Sequence, residues 1–69
     1  MTKFGELIKK IREEKGLSVA ELAQKCGISS VEIRNIEKGN NKPHISRLKS
    51  IADALEYDYI ELYNVLIQK

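Results

Sequence analysis

The chain holds one cysteine, one histidine, one proline and one methionine in 69 residues. With Cys26 alone, no disulfide can form within the chain, and one cysteine beside one histidine does not make a metal site. No apolar run approaches the roughly 20 residues that span a bilayer. The opening Met1-Thr2-Lys3-Phe4-Gly5-Glu6 also lacks the apolar region of a signal peptide. A cytoplasmic protein is therefore expected. No glycine-rich phosphate loop and no acid–base constellation occurs, so the residues point away from an enzyme and away from a bound cofactor. There is no Ser/Gly-rich linker, repeat or low-complexity stretch, and residues 1–69 are expected to form one domain. So short a domain buries only about 60% of its unfolded surface, which leaves oligomerisation as a source of added stability.

What charge there is lies unevenly. Residues 1–42 carry nine Lys/Arg and six Asp/Glu, a balance of +3, whereas residues 43–69 carry three and four, a balance of −1. Either the asymmetry is a solvated surface arising by chance, or the first part faces a polyanion.

The strongest local pattern lies at residues 18–32. Ser18-Val19-Ala20-Glu21 and Ser29-Ser30-Val31-Glu32 each read as a capping box, with the Ser accepting from an early helix amide and the Glu reaching back. Leu17 with Leu22, and Ile28 with Ile33, bracket the boxes as hydrophobic staples. Gly27 stands between them, where a helix needs a residue tolerant of positive φ to stop. The pattern spells a short helix, a tight turn and a second short helix, the grammar of a helix-turn-helix, and it points to DNA.

Helical periodicity extends this to five segments with no competing strand alternation. Thr2 caps a first helix with Phe4, Leu7, Ile8 and Ile11 on one side, ending near Gly16. The second runs from Ser18 to Cys26, with Leu22 and Ala23 inward and Val19 and Cys26 nearby. Cys26 is expected to serve as a small buried hydrophobe rather than a redox sensor. The third runs from Ser29 to Lys38 and stops at Gly39. A polar loop, Asn40-Asn41-Lys42-Pro43, leads to a fourth that starts close to Pro43 and carries Ile45, Leu48, Ile51, Ala52 and Leu55. Asp58-Tyr59-Ile60-Glu61 opens a fifth. The expected fold is a compact all-α bundle.

At roughly 100° per residue, Ile33 and Ile36 define the inward side of the third helix. Val31, Arg34, Asn35 and Lys38 then lie opposite, with Ser30 at the edge. Arg can donate twice to guanine, Asn can pair with adenine, and Val can touch a thymine methyl. Lys38, the 40–42 loop and Ser29 suit phosphates. The plainer reading of these residues is an exposed helix face.

Across residues 7–62 the chain resembles the lambda-repressor-like, Cro-type helix-turn-helix family. The resemblance is carried by Arg12, Gly16-Leu17-Ser18, Leu22-Ala23, Gly27-Ile28-Ser29, Ile33, Ile36-Glu37, Gly39, Pro43, Leu48, Ile51-Ala52, Ala54-Leu55 and Leu62. It implies a five-helix fold and sequence-specific operator binding. It places base contacts on Ser30, Val31 and Asn35, with Arg34, which the helix geometry also turns outward, beside them. Backbone contacts fall on Ser18, Val19, Lys38, Asn40, Asn41 and Lys42. It also pairs Arg12 with Glu37 as an ion pair tying the first helix to the recognition helix; the alternative is a surface pair worth about 0–1 kcal/mol. Two positions depart from the family pattern. Val19 stands where Gln is common and cannot hydrogen-bond through its side chain, though its amide can. His44 replaces a frequent Ser or Thr and is read as a solvent-side helix-start residue, not a metal ligand.

The run 57–67 has eight apolar residues spread around the helix. One monomer can bury one face, through Leu62 with Val65 or Leu66. The remainder suggests a homodimer packed through residues 57–69, with Tyr59, Ile60, Tyr63, Leu66 and Ile67 near the axis. The alternative folds these side chains into one core. The function expected is a dimeric regulator, most simply a repressor, reading a pseudo-palindrome in duplex DNA with no metal and no membrane. The competing reading is an antitoxin- or antirepressor-like protein-interaction module using the last helix.

Overall fold

A computed structural model describes residues 2–68 and shows five helices and no strand among them. They are α1 (Lys3–Glu14), α2 (Val19–Cys26), α3 (Ser30–Lys38), α4 (Ile45–Leu55) and α5 (Tyr59–Leu66). Helix α2 packs on α3 and α4, α1 packs on α3 and α5, and α4 packs on α5. The helices enclose one core in which Ile8, Leu22, Ile33, Ile36, Leu48, Ile51, Leu55 and Leu62 are almost wholly shielded from solvent. Each helix contributes to this set because each carries its apolar residues at helical spacing, so none is stable without its neighbours.

The caps explain where the helices begin. The Thr2 hydroxyl accepts from the Gly5 amide at 3.0 Å, and Asp58 Oδ1 accepts from the Ile60 and Glu61 amides. Ser18 and Ser29 each cap the helix that follows. Helix α4 begins later than Pro43 suggests. Its N-cap is His44, which makes no side-chain cap bond, and Pro43 lies before the cap rather than in the first turn.

Four helix ends share one device, at α1 one residue further on, where Gly16 (φ 72°) lets the Leu17 amide reach Arg12 O at 3.0 Å. The residue after the helix takes the left-handed conformation, and the next amide reaches back to a carbonyl in the last turn. Gly27 (φ 72°) lets the Ile28 amide reach Ala23 O at 3.0 Å, and Gly39 (φ 84°) lets the Asn40 amide reach Asn35 O at 2.9 Å. At the end of α4 the same turn is made by Glu56 (φ 53°), the only non-glycine with positive φ among the described residues, and the Tyr57 amide reaches Ala52 O at 3.0 Å. Gly5 has a different reason. A Cβ there would lie 2.7 Å from the Ile36 carbonyl oxygen and closer still to that of Glu37, so glycine is what lets α1 approach the end of α3.

Helix α4 thus has the weakest ends of the five. His44→Ser and Glu56→Gly are each expected to stabilise the domain by about 1 kcal/mol, one by adding a cap and the other by relieving a left-handed side chain. Their effects should add, because the sites lie at opposite ends of the helix. Gly5→Ala should destabilise by about 2 kcal/mol despite its better helix propensity, because the obstruction is backbone. Thermal unfolding of the four proteins measures all three effects.

Candidate nucleic-acid interface

Helix α3 is held from behind. Ile33 and Ile36 seat α3 in the core, and Glu37, one residue further on, is also buried. Glu37 would be costly there without a partner. Arg12 of α1 supplies it through two hydrogen bonds, Nε to Glu37 Oε2 at 2.7 Å and Nη2 to Oε1 at 3.2 Å. The third guanidinium nitrogen, Nη1, donates to the Leu17 carbonyl at 2.8 Å. The bond to Glu37 is the chief reason that the Arg12 pKa is raised. One side chain therefore joins α1, the approach to α2, and α3. The pair is nine-tenths buried, not a surface pair.

With its inner side so fixed, α3 turns the opposite side outward. Val31 and Arg34 are exposed, and Ser30 and Asn35 are half-exposed beside them. Arg34 has no carboxylate partner among the described residues, so its guanidinium is free to bind elsewhere. Val31 is 61% exposed, an apolar group on an otherwise polar face. Lys38, Asn40, Asn41 and Lys42 are exposed at the C-terminal end of the same helix and in the loop after it. Ser18 and Ser29, at the starts of α2 and α3, are exposed as well.

The two capping boxes differ in the structure. In α2 the box closes: Ser18 Oγ accepts from the Glu21 amide at 3.0 Å, and the Ser18 amide donates to Glu21 Oε1 at 2.9 Å. The Ser18 amide's bond is the chief cause that holds the Glu21 carboxyl below its ordinary pKa. In α3 only half forms. Ser29 Oγ accepts from the Glu32 amide at 3.1 Å, but the Glu32 carboxylate turns to Arg47 of α4, 2.8 Å from Nε. The expected Glu32 contact is thus replaced by a tie between α3 and α4. The pair is partly exposed, so it is a modest tie in place of one bond to an exposed amide. Similarly, Glu61 shows no bond back to Asp58, so the third box is a simple cap.

Val19 is half-buried and packs against the core, which gives a physical reason for an apolar residue at that position. As the first residue of α2 its amide has no acceptor within the helix, so backbone donation remains open. Cys26 is half-buried with Sγ 3.9 Å from the Ser50 carbonyl oxygen, and burial pushes its thiol pKa up. Both features keep it a thiol. Sequence reasoning did not find Gly5 or Arg47. A glycine inside an amphipathic helix, two turns before Arg12, was the available sign of the first; an arginine on α4 carried none for the second.

Two short helices joined through a left-handed turn, the second anchored by its inner side and open on its outer side, define a helix-turn-helix domain. The comparisons agree. The helix-turn-helix family model HTH_3 matches residues 8–62. The transcriptional repressor RghR of Bacillus subtilis is 38% identical over 60 residues, which cover 86% of this chain and 44% of RghR. The structure of SinR in complex with DNA superposes with a TM-score of 0.81 at 33% identity, covering 87% of this chain and 97% of that one. The restriction–modification controller protein C.Esp1396I gives a TM-score of 0.81 at 33% identity, covering 96% and 86%. The chain belongs to the helix-turn-helix family. Its named relatives are transcriptional regulators and repressors rather than enzymes, and it spans about half the length of the curated relatives it matches. No helix among the described residues is long and apolar enough to cross a membrane.

Removing one member of the buried pair, by Arg12→Ala or Glu37→Ala, should cost about 3–5 kcal/mol, because the other charge is left unpaired. The double change Arg12→Met with Glu37→Leu should recover most of that loss in denaturant unfolding. Because the Glu21 carboxyl is depressed in the fold, its contribution is present above the ordinary carboxylate range and disappears as pH falls below it. Glu21→Gln should therefore weaken the domain at neutral pH and flatten the acid limb of its stability curve.

Proposed function

We propose that this domain is a cytoplasmic, sequence-specific transcriptional repressor that binds a pseudo-palindromic site in duplex DNA as a homodimer. The observation that carries the reading is the outward face of α3, where Arg34 stands unpaired beside Val31 and Asn35 while Ile33 and Ile36 are fully buried on the other side. In the major groove, Ser30, Val31, Arg34 and Asn35 read bases. The exposed groups around them, Ser18, the Val19 amide, Ser29, Lys38, Asn40, Asn41 and Lys42, hold phosphates on either side. SinR has been solved with DNA, which supports the same mode here.

The dimer reading rests on α5. Ile60 and Ile67 are 61% and 56% exposed, and Tyr59 and Tyr63 stack at 6.4 Å between ring centroids on a half-exposed face, with Leu66 also half-buried. Two copies joined through this face would present two α3 helices to successive major grooves, about 34 Å apart. The same face supports a second reading, docking of a different protein, since SinR has also been solved in complex with the SinI protein.

Selection from a random duplex library tests the proposal. A palindromic sequence should be enriched, and Arg34→Ala should lose about 1–3 kcal/mol and relax preference at one position in each half-site. Enrichment of no sequence would sink the specific-regulator reading. In sedimentation the protein should dimerise at micromolar concentration, and Ile60→Lys should return it to monomer; a wild-type monomer at high micromolar concentration would contradict the dimer. Binding should weaken steeply between 50 and 200 mM salt.

A further inference from the structure

A cavity of about 310 Å³ lies where the start of α1, the 39–42 loop and the end of α5 meet. That volume is at the lower end for small-molecule sites. Phe4, Val65 and Leu66 supply an apolar lining, Lys3 and Lys42 supply two positive charges, and no acidic residue lines it. Neither lysine pairs with a carboxylate among the described residues. An apolar chamber whose only charges among the described residues are two unneutralised cations is complementary to one class of ligand, an amphipathic anion. The tail would replace water on Val65 and on Leu66, a residue shared with the proposed dimer face, above the buried ring of Phe4, and the head group would meet the lysines. We propose that this cavity binds a small carboxylate with an aliphatic or aromatic tail, and that its occupation weakens DNA binding.

The second half of the proposal rests on the reading of α3 and its loop as a DNA interface. Asn41 and Lys42 belong both to the cavity and to the set proposed to hold phosphate. A carboxylate that engages Lys42 takes that charge from the DNA backbone, so ligand and phosphate compete for one cation. By linkage, DNA must weaken the ligand by the same factor.

Isothermal titration with octanoate, with 1-octanol and octylamine as neutral and cationic controls, tests the site. Octanoate should bind saturably, one per chain, and both controls about tenfold or more weakly, the worth of one charged contact. Val65→Phe, which fills the chamber, and Lys3→Gln, which removes a charge outside the DNA and dimer sets, should each weaken octanoate while leaving affinity for the selected duplex unchanged. With octanoate saturating, the slope of log affinity for duplex against log salt should fall in magnitude by about 0.9, one phosphate contact. Equal binding of the three compounds, unsaturable uptake, or indifference to Val65→Phe overturns the site. So does loss of octanoate binding with rising protein concentration, which would give the cavity to a second copy. If octanoate binds as described but no duplex is bound, the site stands, and both the coupling and the proposed function fall. If duplex is bound and octanoate is not, this proposal alone falls.

Discussion

The seam between α1 and α3 is the constraint on which the rest of the molecule depends. At one end Gly5 lets the backbone of α1 approach the carbonyls of Ile36 and Glu37. At the other end, two turns along, Arg12 binds the Glu37 carboxylate with both arms of a fork and the Leu17 carbonyl with a third nitrogen. One contact is steric and the other is charged. Together they fix both the distance and the rotation of α3 about its own axis. That rotation decides which side chains face outward, so a stability device sets what the helix can read.

A buried ion pair is not the cheapest way to fill that space, since an apolar pair of similar volume is often as stable. Its geometry offers something an apolar pair does not. A two-pronged guanidinium–carboxylate contact has one good arrangement, while packed methyl groups tolerate several. The helices and their short connections span only Lys3 to Leu66, with little core to spare and a function proposed to turn on the aim of Val31, Arg34 and Asn35. Fixing the aim of α3 accounts for charge where hydrophobicity would also hold the fold. The Glu32–Arg47 pair, more exposed and made through one nitrogen, adds a weaker link to α4.

Much of this was legible in the sequence, for a definite reason. Four of the five helices announce their starts through Thr2, Ser18, Ser29 and Asp58, two announce their ends through Gly27 and Gly39, and apolar spacing marks what lies between. These are local rules, and the structure follows them. The inward set of the first four helices, from Ile8 to Leu55, follows from periodicity, whereas the last helix is apolar all round and only packing selects Leu62. What could not be read depends on which elements touch. Glu32 has the spacing of a capping box but bonds to Arg47, because α4 brings a cation within reach. Glu56 holds a glycine's conformation because α4 must turn there to deliver α5, although no local signal marks it. Val19 is unexpected as a phosphate anchor and ordinary as a core-packing residue. The cavity beside Phe4 joins three segments far apart in the chain, and no pattern in any one of them reveals it.

The central claim is that the outer face of α3, aimed by the α1–α3 seam, is the surface that meets DNA. Titrating the selected duplex into the isotopically labelled protein and following its backbone amides tests this most directly. The account predicts that the largest perturbations fall at 18–19, 29–35 and 38–42, the starts of α2 and α3 and the loop after α3. Perturbation concentrated at 59–67 with the amides of 29–35 unmoved would contradict it.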